Sequence, residues 1–252
     1  MTAAAAATSP AVGPRKMRML VSVRSVEEAL AAAEGGADFI DLKEPRDGAL
    51  GGLPLATIRD VVSALRQCGV TLPISATIGD LPMDDVAQIL RRVEAVGACG
   101  VDYVKVGIER DAAAASVIDA LAGCGWPVVP VFIADHGLDD ALVARACASR
   151  SSAGPAFLAI MVDTADKRAG SLFDVMTTEA LQRFIATVRS SNAMVGLAGA
   201  LRAMHVDQLA GLHPDFAGFR SAVCVGDRAS RLDMERVLEL AALVRTPPPM
   251  PV

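Results

Sequence analysis

A chain of 252 residues that is 52% hydrophobic but only 4% aromatic must fill its interior with Ala, Val, Leu and Ile, side chains that suit helices laid closely on a parallel sheet. Its net charge of -5, with both signs interspersed and no aromatic platforms, argues against nucleic acid as a partner, and its apolar runs, such as 156–162, stop well short of the roughly 18 residues that a membrane span needs. The cysteines (Cys68, Cys99, Cys124, Cys147 and Cys224) are odd in number and form no CxxC pair, so reduced, buried thiols in a cytoplasm are expected rather than disulfides or zinc.

The first residues lack the charged and apolar regions of a signal peptide, so 1–16 are expected to be a disordered tail, 247–252 a Pro-rich second tail, and 17–246 one catalytic domain. The first strand is expected at 19–23. Ser25 with Glu28 three residues on reads as a capping box, and the helix that it opens ends in a Gly pair. The second strand, 38–43, carries Asp41 and Lys43, which point to one side because alternate strand residues do. Pro54 then suits the first helical position, with Ile58, Val61, Val62 and Leu65 on one face.

Strands at 73–78, 102–107, 128–132, 157–163, 194–198 and 216–220 follow, separated by helical stripes. Those stripes are Val86, Ile89, Leu90 and Val93, then Leu181, Phe184, Ile185 and Val188, then Val237, Leu238, Leu240 and Ala241. The segments GGADFIDLK and GVDYVKVG echo each other. Strict alternation over eight units, with no GxGxxG after the first strand, predicts an α/β protein of a single (β/α)8 TIM barrel, not an open doubly wound sheet.

In such a barrel the even strands share layers of inward side chains, so Asp41, Lys43, Lys105 and Asp163 converge at one mouth, within reach of Lys167 in the loop after strand six. Inward charges in an apolar chain need partners. Two neighbouring buried ammonium groups depress each other's pKa, which turns one lysine into an amine able to form a Schiff base while the other moves protons. The two carboxylates would orient them or act as general base. Phosphate sites in barrels use the loops after strands seven and eight, here Gly199 and Ala200 in GLAGAL and Arg220, Ser221 and Arg228 in RSAVCVGDR. His136, His205 and His213 show no metal-ligand spacing, so no metal site is expected. Cys224 has no paired His and reads as a buried thiol. Asp80, ending SATIGD, either touches the site or caps the next segment.

The stretches MLVSVRSVEEA, GGADFIDLKEPRDGALG, SATIGD, GVDYVKVGI, MVDTADK, SLFD, LAGAL and GFRSAVC resemble the (5-formylfuran-3-yl)methyl phosphate synthases, which serve methanofuran-type coenzyme synthesis. The resemblance implies a lyase that condenses two glyceraldehyde 3-phosphate molecules to a furan aldehyde with loss of phosphate and water. It places the Schiff-base lysine on Lys43 beside Asp41, the proton-transferring lysine on Lys105, and an Asp and Lys four apart on Asp163 and Lys167. It departs at Ser221, where the family commonly has Gly, a difference that bears on phosphate contact. No metal or organic cofactor is implied. Two anion sites are required, and Lys167 is the candidate for the second. A homo-oligomer without nucleic-acid or membrane partners is expected. The alternatives are another Schiff-base phosphosugar aldolase, which releases no phosphate, and a non-catalytic barrel that binds a phosphorylated ligand.

Overall fold

The computed structural model describes residues 16–167 and 170–246; apart from Lys16, both expected tails lie outside them. The elements are β1 (Arg18–Val23), α1 (Val26–Glu34), β2 (Phe39–Leu42), α2 (Leu55–Gln67), β3 (Ile74–Thr77), α3 (Val86–Gly97), β4 (Tyr103–Ile108), α4 (Ala114–Gly123), β5 (Val128–Ile133) and α5 (Asp140–Ala148). After them come β6 (Ala159–Asp163), the one-turn α6 (Leu172–Val175), α7 (Thr178–Arg189), β7 (Met194–Leu197), α8 (Val206–Leu212), β8 (Phe216–Phe219) and α9 (Met234–Arg245). The eight long strands are parallel and closed, β1 pairing with both β2 and β8. This is the expected (β/α)8 barrel. A two-residue hairpin, Arg150–Ser151 against Gly154–Pro155, stands outside it before β6.

The period of two along each strand divides the core into two layers. Ile40, Leu42, Val104 and Val106 face outward onto helix residues such as Ile58, Val61, Leu65, Ile89 and Val93. Leu20, Phe39, Val131, Met161 and Phe216 fill the barrel interior. Because Ile40 and Leu42 face the helices, Asp41 between them must face inward. Fold and site are thus set by one alternation.

The sequence echo has a physical basis. Asp38, just before β2, accepts from the backbone N–H of Met19 at 2.7 Å; Asp102, before β4, does so from Ile74 at 2.7 Å; Asp215, before β8, does so from Val195 at 2.8 Å. Each carboxylate satisfies a backbone donor near the start of the preceding strand.

Several local expectations change. Pro54 is the N-cap of α2, not its first residue. Leu238 is 49% exposed, because the buried face of α9 runs through Val237, Leu240, Ala241 and Val244, and Leu238 lies about 100° around the helix from Val237. Cys68 is exposed at the end of α2 and Cys124 half-buried, whereas Cys99, Cys147 and Cys224 are buried as expected. Ser25 caps α1, but Glu28 does not return to it; its carboxylate takes the N–H of Arg24 and turns to Arg220.

Gly97, at the end of α3, lies where an added Cβ would overlap the ring of Trp126. Gly97→Ala gains about 1 kcal/mol of helix propensity but forces a rigid indole to move, at about 1–3 kcal/mol. The expected outcome is a net loss, read as a lower urea midpoint by the fluorescence of Trp126, the chain's one tryptophan.

Candidate active site

The deepest layer of the site is built from adjacent strands in register, with Ser22 of β1 and Ser75 of β3 on either side of Asp41. Asp41 accepts from Lys105 Nζ at 3.0 Å, from Ser22 Oγ at 2.9 Å and from Ser75 Oγ at 2.7 Å. Asp41 and Lys105 are 1% and 3% exposed. Nearer the mouth, Lys43 lies one residue past the end of β2 and donates to Asp163 Oδ2 at 3.3 Å. The other oxygen of Asp163 accepts from Lys167 and from the N–H of Thr164 at 2.8 Å. Lys167 also donates to the carbonyl and hydroxyl of Thr164.

The loop that follows Lys43 is pinned rather than free. Asp80 accepts from the N–H groups of Ala49 and Leu50 at 2.7 and 3.0 Å, and Thr77 Oγ1 donates to Gly51 O at 2.7 Å. Asp80 fills neither of the two roles expected for it: it anchors this loop, and Asp85 caps the helix that follows.

Burial lowers the Lys43 pKa to about 8; the Asp163 carboxylate works against this, and the ammonium groups of Lys167 and Lys105 add to it. For Asp163, burial pushes the carboxyl up, but Lys167 and Lys43 outweigh it and hold it below the usual carboxylate range. Burial lowers Lys167, against the pull of Asp163. Three lysines face two aspartates, so the cluster carries an excess positive charge suited to an anion.

The opposite wall is backbone. Gly199 has φ 124° and Ala200 φ 44°; the second is a left-handed conformation that a non-glycine residue adopts at a cost of order 1–3 kcal/mol, of the kind that clusters at functional sites. Among the described residues, no protein acceptor receives the N–H of Gly199, Ala200 or Ser221. With Lys43, Asp163 and Arg228 they line a pocket of about 510 Å³. It continues into an outer recess of about 1310 Å³ walled by Arg46, Lys167, Arg202, Asp227 and Arg228.

The two candidate arginines differ. Arg220 lines the pocket, yet all five of its N–H donors are committed: to Arg228 O (2.9 Å), Ser22 O (3.2 Å), Ser230 O (2.8 Å) and both oxygens of Glu28 (2.5 and 3.1 Å). Arg228 has no ion-pair or hydrogen-bond acceptor for its guanidinium among the described residues, and burial lowers its pKa.

All ten residues singled out in the sequence therefore gather on this one pocket. Missed by sequence reasoning were Ser22, Ser75 and Glu28. Ser22 carries the same inward period as Leu20 and could have been found from it; Glu28 could not, because its partner is 192 residues away. The histidines stand apart: His205 packs at a tilt of 49° against Phe173 with centroids 5.4 Å apart, and His213 caps α8 with φ 55°. Burial raises the Cys224 thiol, as suits an inert one. Among the described residues no three His, Cys, Asp or Glu side chains gather to hold a metal ion, and no helix is long and apolar enough to cross a membrane.

Residues 19–241 match the family described as 4-HFC-P synthase. The (5-formylfuran-3-yl)methyl phosphate synthase of Archaeoglobus fulgidus is 36% identical over 241 residues, covering 90% of this chain and 99% of its own. That of Methanocaldococcus jannaschii is 33% identical, covering 91% and 100%. Among solved structures, phosphoribosyl anthranilate isomerase from Thermus thermophilus superposes with a TM-score of 0.61 at 16% identity, over 90% of this chain and 98% of that one. This last likeness concerns the barrel alone.

Proposed function

The chain belongs to the (5-formylfuran-3-yl)methyl phosphate synthase family, and from that premise we propose that it condenses two molecules of glyceraldehyde 3-phosphate into the furan aldehyde phosphate through an imine on Lys43, as a step towards a methanofuran-type coenzyme. The atoms balance with one phosphate and two waters released, and no oxidant or reductant is needed. The observation that carries the reading is Lys43: a buried amine with a pKa brought down to about 8, lining a pocket whose other wall offers unpaired N–H groups and Arg228.

The amine attacks the carbonyl of one triose phosphate, water leaves, and the imine acidifies the adjacent carbon. Lys105, held by Asp41, carries the protons of the imine-to-enamine step and of the later dehydrations. The enamine carbon then attacks the aldehyde of the second triose. Asp163 stabilises the iminium charge and keeps Lys167 beside it. The N–H groups of Gly199, Ala200 and Ser221, with Arg228, take the retained phosphate; Lys167, at the junction with the outer recess, takes the phosphate that leaves.

The test follows furan-aldehyde absorbance and phosphate release together with purified protein and glyceraldehyde 3-phosphate. Both rising in step supports the reading. Carbon–carbon condensation without phosphate release makes the protein an aldolase instead, and neither signal removes the reading.

A pH dependence is expected from the same lysine. Below about pH 8 Lys43 is mostly an ammonium ion, so borohydride trapping of the imine should rise about tenfold per pH unit and level off above that pH. The carboxylate of Asp163 raises the Lys43 pKa and the ammonium of Lys167 lowers it. Asp163→Asn should therefore move the midpoint down and Lys167→Met should move it up, both read by trapping followed by mass spectrometry.

A further inference from the structure

Arg220 meets the site from the seam where the barrel closes, between β8 and β1. Its guanidinium reaches into both halves of that seam. On the β1 side it binds Ser22 O and both oxygens of Glu28 in the first turn of α1. On the β8 side it binds the carbonyls of Arg228 and Ser230. Glu28, 6% exposed, completes the link by accepting from the N–H of Leu232 at 3.2 Å and of Arg24 at 3.0 Å.

The segment held in this way is an excursion between Cys224 and Leu232, closed at its base by their bridge and by Val225 N–H to Arg231 O at 3.1 Å. Arg228 sits on it with its main chain tied by Arg220 and its side chain unpaired at the junction of the pocket and the outer recess. A segment without regular structure keeps a long side chain in place only if its backbone is anchored. Here three of the anchoring hydrogen bonds come from the Glu28 and Arg220 pair, at Arg228 O, Ser230 O and Leu232 N–H.

The geometry points to Glu28 as a positioning residue that acts through Arg220 to hold Arg228 against the substrate phosphate, with Arg220 itself making no substrate contact. This rests on the phosphate site assigned above, and not on which carbons are joined. Releasing a donor of Arg220 for a phosphate would leave a nearly buried carboxylate oxygen or carbonyl unpaired, which opposes the exchange. An ion pair of two fixed planar groups, bidentate and buried, is suited to holding two chain segments in register.

The test is binding of inorganic phosphate to the full-length protein by calorimetry, together with steady-state kinetics on glyceraldehyde 3-phosphate. Glu28→Gln, which keeps the shape but removes the charge, is expected to weaken phosphate binding about 10- to 100-fold, the range set by losing charge-assisted hydrogen bonds. KM should rise by a similar factor with kcat little changed, and trapping of the Lys43 imine at saturating substrate should be unaltered. Because the effect passes through Arg228, Glu28→Gln combined with Arg228→Gln should bind phosphate no more weakly than Arg228→Gln alone.

Phosphate binding that is unchanged or tighter in Glu28→Gln would overturn the inference, since freeing the donors of Arg220 would then have supplied a ligand. Full additivity of the two substitutions also overturns it. If Glu28→Gln fails to fold, Glu28→Asp carries the same comparison, because it keeps the charge but is one methylene too short for both Nη contacts. Phosphate binding that follows these expectations in a protein forming no furan would leave the positioning role standing and remove only the reaction.

Discussion

Lys43→Arg is expected to abolish both furan absorbance and phosphate release, by roughly 10⁴-fold or more, as losing a nucleophile does, while the protein still folds. The substitution keeps a positive charge opposite Asp163, so the buried carboxylate is not orphaned. It removes only the capacity for a free amine, because a guanidinium stays protonated at any working pH. Two inward lysines are present, so the location of the imine is itself an expected result: after borohydride reduction with glyceraldehyde 3-phosphate, the added mass should sit on the peptide that contains Lys43. Lys105 is bound at 3.0 Å to an aspartate held by two further hydroxyls. Lys43 shares its carboxylate with Lys167 and faces the pocket. Label on the Lys105 peptide would reverse the two roles, and label on neither would remove the imine altogether.

The parts of this site that were legible in the sequence are those set by local period. Asp41 and Lys43 stand two apart in a strand, Lys105 and Asp163 occupy inward positions on two others, and a closed sheet then leaves them nowhere to point but the barrel axis. The backbone wall proposed for phosphate was legible in place but not in kind. Gly199 announces a turn, whereas the left-handed Ala200 beside it is held by its surroundings and carries no residue signature.

Arg220 shows the limit most clearly. Position at a strand end and positive charge made it a candidate phosphate ligand, but what a guanidinium can do depends on which acceptors already surround it. Three of its five acceptors lie on segments whose approach only the closed barrel creates: Ser22 and both oxygens of Glu28. The capping-box pattern of Ser25 and Glu28 misdirected the reading further, because it supplied a sufficient local use for Glu28. Local sufficiency hid a distant partner. The exposed Leu238 is a smaller case of the same kind, an apolar residue adjacent to a buried stripe that the stripe does not include.

Removing Lys105 should cost both stability and turnover, and the two costs can be separated. Lys105→Met leaves Asp41 buried with only the hydroxyls of Ser22 and Ser75, a loss of about 3–5 kcal/mol by analogy with other broken buried pairs. Asp41→Asn alone leaves the ammonium of Lys105 without its carboxylate, at a similar cost. The double substitution removes both charges, and much of the stability should return, because two desolvation penalties disappear together with the attraction that offset them. Urea denaturation of the four proteins, the parent included, measures that recovery. Turnover should not recover with it: if Lys105 carries protons after the imine has formed, the double variant stays down by roughly 10²–10⁴-fold while borohydride still traps substrate on Lys43. A double variant that regains stability and turnover together would make the Asp41 and Lys105 pair a structural strut of the barrel interior, and the proton would have to move through Asp163 or Lys167.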